Sequence, residues 1–190
     1  MTPPSRQAIL RRRIAACALL AATLAGGARA QQYLYRGMAA DPATPGQPVL
    51  QVSALGLTVR PGDVAHPDAG ALVQPTDGHG HGQGMSVIWS DTDADACQLP
   101  PFARPAGGNW NGTGNPESVR VWRLDLIAHP LPGTLASAPD PVAGPRPAPS
   151  HAVVTTVVPG MELARFQTTV GATAAHWVIV PPPAQACPLN

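Results

Sequence analysis

Proline and glycine interrupt this chain at short intervals, with 24 prolines and 19 glycines among 190 residues. A proline inside a helix removes a hydrogen bond and clashes with the preceding turn, and inside a central strand it removes a ladder bond. Regular structure is therefore confined to the few segments left uninterrupted. Gln32–Met38 alternates apolar and polar residues and predicts a short strand ended by Gly37. Met85–Trp89, Val119–Asp125, Ala152–Val158 and His176–Val180 read as further strands, rich in β-branched and aromatic residues. Met161–Val170 is the best helix: Leu163, Phe166 and Val170 form one apolar stripe, and Gly171 suits the C-terminal cap. Val49–Val59 is a helix or a strand, Ala71–Val73 a short apolar piece, and Pro130–Pro149 a proline-rich loop. Several short strands with one helix predict a β-rich α+β domain.

The first 30 residues have the pattern of an export signal. Arg6 and Arg11–Arg13 precede an apolar run, Ile14–Leu24, that is too short to span a bilayer, and Ala28-Arg29-Ala30 offers a cleavage site. The expected organisation is a signal peptide over 1–30 and one domain over 31–190. That implies secretion or a periplasmic location, with no membrane association once the signal is removed. Five of the twelve arginines lie in the signal, and the chain has no lysine. Seven arginines against eleven acids leave residues 31–190 at a net charge of −4. A balance of that sign lacks the footprint of nonspecific nucleic-acid binding. The two remaining cysteines, Cys97 and Cys187, form an even pair in an oxidising compartment and predict a disulfide.

Most short motifs argue for ordinary surface. His79 and His81, with His66 nearby, carry metal-binding side chains, but two ligands on a glycine-rich loop do not close a site, and no metal is expected. Asp91, Asp93 and Asp95 alternate like a calcium loop, yet Ala96-Cys97 stands where a glycine is needed, so a solvated acidic loop is the reading. Ser86, His151 and several aspartates leave a hydrolase triad open, although Ser86 lacks the Gly-x-Ser-x-Gly elbow. Asn111-Gly112-Thr113 is a glycosylation sequon. No dinucleotide fingerprint or P-loop occurs.

One constellation remains. Tyr35-Arg36-Gly37 ends a first strand, Gly84-Met85-Ser86-Val87 opens a second, and Ser150-His151 opens a third. Between and after them come Leu99-Pro100-Pro101, Gly107-Gly108, Val121-Trp122, and Met161 with Leu163 and Phe166. This order resembles the ADP-ribosyltransferase superfamily, and more narrowly the small ADP-ribosyltransferase-like toxins delivered by type VI secretion. The resemblance implies a β-rich ADP-ribosyltransferase-like fold with two small sheets around an NAD cleft, and NAD as substrate. It implies Arg36, Ser86 and His151 as catalytic residues. Arg36 would clamp a phosphate with paired charge-assisted hydrogen bonds, and Ser86 would hold the nicotinamide ribose. His151 would orient ribose hydroxyls, Tyr33 or Tyr35 would stack on nicotinamide, and Gly37 would let the ligand approach. It further implies a protein or nucleic-acid acceptor and an immunity protein. The sequence departs from the superfamily at the third position, where many members carry a glutamate and Glu162 falls in the predicted helix. ADP-ribose transfer, NAD hydrolysis and NAD binding without turnover therefore stay open. So does a different class altogether, a non-enzymatic, disulfide-linked periplasmic or extracellular binding module.

Overall fold

The computed structural model describes residues 31–64, 72–77 and 79–189. The segment expected to be an export signal, residues 1–30, and His66 lie outside the described residues. Among the described residues, eight strands and one helix follow in order: β1 (Tyr33–Ala39), β2 (Leu72–Val73), β3 (Met85–Ser90), β4 (Val119–Asp125), β5 (Leu135–Pro139), β6 (His151–Thr156), β7 (Met161–Glu162), α1 (Leu163–Gly171) and β8 (Trp177–Ile179). Short 3-10 turns fill several connections, among them Asp93–Gln98, Pro101–Ala103 and Gly108–Trp110. The result is β-rich with few helices, as the segment lengths predict. Six strands form one antiparallel sheet in the order β5-β6-β3-β1-β4-β8, and β2 pairs with β7 in a separate ribbon. The architecture is thus one six-stranded sheet and a two-stranded ribbon, where two small sheets were expected.

Strand alternation sends successive side chains to opposite faces, and here both faces are covered. Leu34, Met38, Trp122, Leu124, Met85, Val87 and Val154 share one cluster with Phe166 and Val170 of α1. Tyr35, Ile88 and Val121 share the other with Leu99, Trp110, Ala148 and Cys187. The second cover is made of irregular chain, so it needs fastening. Cys97 and Cys187 are bonded, with Cα atoms 5.3 Å apart. The main-chain N–H of Cys187 donates to the Asn109 carbonyl at 2.7 Å, and Asn111 Nδ2 donates to the Cys187 carbonyl at 2.9 Å.

Two strands depart from their sequence-based bounds. β1 continues through Gly37 to Ala39, because that glycine gives room to a neighbour instead of ending the strand. A Cβ there would lie 1.7 Å from the Ala103 carbonyl oxygen, so only glycine lets the Pro101–Ala103 turn pack on the sheet. β5 lies inside the expected proline-rich loop and pairs along its length with β6. The helix begins two residues late, after β7, and Gly171 is its last residue, with Ala172 as the cap in ordinary right-handed conformation. Val49–Val59 forms neither helix nor strand; it is a run of turns.

Candidate functional site

A split in the large sheet makes the site. β1 and β3 pair at Tyr33–Ser90, Leu34–Trp89 and Tyr35–Ile88, and there the ladder stops. Continuing the register would set Arg36 against Val87 and Gly37 against Ser86. Instead β1 stays with β4 through Ala39, and β3 stays with β6 from Met85 onward. The two halves separate, and the Arg36 guanidinium enters the gap. Its Nη1 donates to the Ser86 carbonyl at 2.5 Å, Nε to the Gly56 carbonyl at 3.2 Å, and Nη2 to the Ala54 carbonyl at 3.4 Å. The side chain thus replaces the missing ladder bond and ties the 54–56 turns to the sheet. Burial lowers the arginine's pKa to about 10, an effect partly offset by the nearby Asp63 carboxylate.

The separation opens a cavity of about 330 Å³, within the range of small-molecule sites. Arg36 and Gly37 reach it from β1, Ser86 and Ile88 from β3, and His151 from β6. One wall is the segment Gln98–Ala103 and the other is Arg146–Ala148 with Val142. Arg60 and Asp63 sit at a further margin. Arg60 grips Asp63 with two side-chain bonds, Nη2 to Oδ1 at 2.8 Å and Nε to Oδ2 at 3.1 Å. Burial pushes the Asp63 carboxyl up, but the hydrogen bonds from Arg60 outweigh it and hold the carboxyl below its ordinary range. Arg146 is exposed at the rim and has no ion-pair partner among the described residues.

Three residues far apart in the sequence, Arg36, Ser86 and His151, therefore line one cavity. The antiparallel register explains part of this. Ser86 pairs with Val153 and Ile88 with His151, so Ser86 and His151 stand on one face at diagonal positions of neighbouring strands. Gly37 also lines the cavity, whereas Tyr35 does not. Tyr35 is fully buried in the cluster beneath the opposite cover, and its hydroxyl donates to Asp93 Oδ1 at 2.8 Å. The expected stacking of Tyr35 on a ligand is replaced by a core role: the ring shares the cavity's face of the sheet but is covered by Leu99 and Trp110, and its hydroxyl is taken by Asp93. Tyr33 packs edge-on against Tyr35 and lies beneath the Arg123 guanidinium, 4.6 Å from its ring centre.

The acidic loop is not merely solvated. Asp93 accepts from Tyr35 and from Arg123 Nη1 at 2.9 Å. Asp95 accepts from Ser90 and from Gln98 Nε2. Gln98 continues the chain of contacts, its Nε2 donating to Ser150 Oγ at 3.1 Å and its Oε1 accepting from the Ser150 main-chain N–H at 2.9 Å. This amide pins the start of β6, and so His151, to the cavity wall.

Asp140 is the neighbour of His151 that the sequence left unmarked. The β5–β6 register places it opposite His151, one step beyond the Pro139–Ala152 pair. The His151 Nδ1 lies 2.6 Å from the Asp140 main-chain carbonyl oxygen and 3.6 Å from its carboxylate Oδ2. The second Asp140 oxygen, Oδ1, meets His81 Nδ1 at 3.3 Å. His81 is held by a turn in which Asp77 Oδ1 accepts the main-chain N–H groups of His79 and His81. Those bonds hold the Asp77 carboxyl below its ordinary range. Among the described residues no three His, Cys, Asp or Glu side chains converge on a point suited to a metal ion. No protein-family model, curated protein or solved structure matches this chain.

Proposed function

We propose that the protein is an exported ADP-ribosyltransferase-like domain that binds NAD⁺ in the cavity between β1 and β3 and acts on it as a toxin, by transfer of ADP-ribose to an acceptor or by hydrolysis. The observation that carries this reading is the convergence of Arg36, Ser86 and His151 on one cavity. The donor set suits the ligand: hydroxyl and imidazole groups for a ribose, an apolar wall at Leu99–Phe102 for an aromatic ring, and cationic side chains for phosphates. The cations divide the work. Arg36 has each nitrogen turned to a carbonyl and Arg60 is held by Asp63, so Arg146 is the cation left for the diphosphate. Arg36 then acts on the ligand indirectly, by holding the strands apart.

Titration of the purified, disulfide-bonded protein with NAD⁺ by calorimetry tests the reading. Saturable binding, weakened roughly tenfold in Arg146→Ala, is the expected result, since a charge-assisted contact contributes about 1.5–3 kcal/mol at most. Absence of binding by the unsubstituted protein would refute it. A binding module without turnover is the second reading. It is favoured by the engagement of Arg36 with main-chain carbonyls, and it predicts a saturable ligand that is never consumed.

A further inference from the structure

We infer that His151 is the general base of this cavity, positioned by Asp140, and that its nucleophile is water. The inference rests on the NAD⁺ reading above. A main-chain carbonyl can only accept a hydrogen bond. At 2.6 Å from the Asp140 carbonyl, His151 Nδ1 must therefore carry the proton. The neutral ring then has its lone pair on Nε2. Nδ1 faces Asp140, so the opposite ring edge, with Nε2, is the one left for the cavity that His151 lines. The Asp140 carboxylate, 3.6 Å from Nδ1, is too distant for a hydrogen bond. It supplies negative charge beside the ring.

Two features make this more than a tethered histidine. Asp140 is itself held: its main-chain N–H donates to the His151 carbonyl at 3.0 Å, and His81 meets its other carboxylate oxygen. Ser86 stands on the same face, one diagonal step from His151, and its hydroxyl has no hydrogen-bond partner among the described residues. It is available to hold a ribose hydroxyl or the attacking water. In the reaction the bond between the ribose C1′ and the nicotinamide nitrogen breaks, and its electron pair leaves with neutral nicotinamide. A bond forms from C1′ to the water oxygen, and one water proton passes to His151 Nε2 and then to solvent. The sum is NAD⁺ and water giving nicotinamide, ADP-ribose and a proton, with no further reactant.

The test uses the purified, disulfide-bonded protein and follows nicotinamide release together with NAD⁺ affinity. His151→Gln is expected to lose about 100-fold or more in kcat, the usual contribution of a placed base, a larger factor than any loss of NAD⁺ affinity, while the melting temperature changes little. Imidazole added to His151→Gly should restore part of the rate. Asp140→Asn keeps the main-chain carbonyl and should lose about tenfold in kcat with KM nearly unchanged, and Asp140→Glu should recover some of it, a split that a purely structural aspartate would not give. In water enriched in ¹⁸O the label should appear on C1′ of ADP-ribose. Full activity of His151→Gln would overturn the inference, as would NAD⁺ binding without nicotinamide release, and both outcomes leave the binding site standing. Absence of NAD⁺ binding by the unsubstituted protein would remove both readings.

Discussion

Breaking the Cys97–Cys187 bond should cost this protein a large share of its stability. The bond closes a separation of 90 residues. Loop-closure entropy for a link of that span amounts to about 4–5 kcal/mol at 25 °C, a major part of the 5–15 kcal/mol that holds a typical domain folded. The structure says which part loosens first. The tail around Cys187 covers the Tyr35–Val121 face and has few other ties: the contacts of Asn109 and Asn111 to the tail carbonyls and the Cys187 main-chain bond. Cys97 stands immediately before the cavity wall that begins at Gln98. The perturbation is the Cys97→Ser, Cys187→Ser double variant, compared with the oxidised protein by urea denaturation and by melting. For a chain of this size each kcal/mol corresponds to roughly 2–4 °C, so the melting temperature should fall by about 8–20 °C. Ligand affinity should fall with it, because the wall at Gln98–Ala103 loses its brace. A stability change below about 1 kcal/mol with an unchanged urea slope would refute the reasoning, since it would mean that the tail holds its place without the bond.

Three other substitutions probe particular contacts. Gly37→Ala puts a methyl group 1.7 Å from a main-chain oxygen of the cavity wall; a loss of about 3 kcal/mol is expected, the upper end of overpacking costs, and an unchanged urea midpoint would count against that packing. Arg104 is fully enclosed, and none of its three guanidinium nitrogens has a hydrogen-bond partner among the described residues. Arg104→Met should therefore leave stability level or raise it by about 1 kcal/mol, whereas a clear loss on denaturation would mean that the guanidinium has a partner. Burial, and then the hydrogen bond to Asp93, raises the Tyr35 pKa above the usual tyrosine range, so the folded chain keeps that proton at a pH where the unfolded chain releases it. Tyr35→Phe should cost about 1 kcal/mol at pH 7, and the gap between the two proteins should close as pH rises past about 10. Arg36 acts oppositely in that range, its charge being lost earlier when folded, but it is common to both proteins and cancels in the comparison.

What could be read in the sequence was what depends on local pattern. Val119–Asp125 carries Val, Trp and Leu suited to a pleated surface, and it is β4 residue for residue. Arg36, Ser86 and His151 were marked by their order along the chain, and the register brings them to one cavity. What escaped depends on partners. Leu135–Pro139 carries little β preference of its own and is a strand because the edge of β6 offers it a ladder. Asp140 sits in a proline-rich stretch with no motif, and it matters only because that ladder ends opposite His151. The resemblance implied Tyr35 as a ligand contact, yet the ring is covered by Leu99 and Trp110, whose approach no local pattern around Tyr35 shows. The engagement of Arg36 was equally hidden, since its acceptors are main-chain carbonyls of Ala54, Gly56 and Ser86, and any residue type supplies those.

The position of β1 has a consequence for when the chain can fold. It is the first strand made and lies at the middle of the sheet, between β3 and β4. Until Val119–Asp125 has been synthesised it has only one neighbour, joined by three residue pairs, and β8 must still follow to close the far edge. Pairing across such sequence distances places the chain among the slow folders, on the scale of milliseconds to seconds. The longest ladder of the sheet, seven residue pairs between β1 and β4, therefore forms only after the intervening chain has been ordered or looped out, so the centre of this sheet is a late product of folding and not its seed.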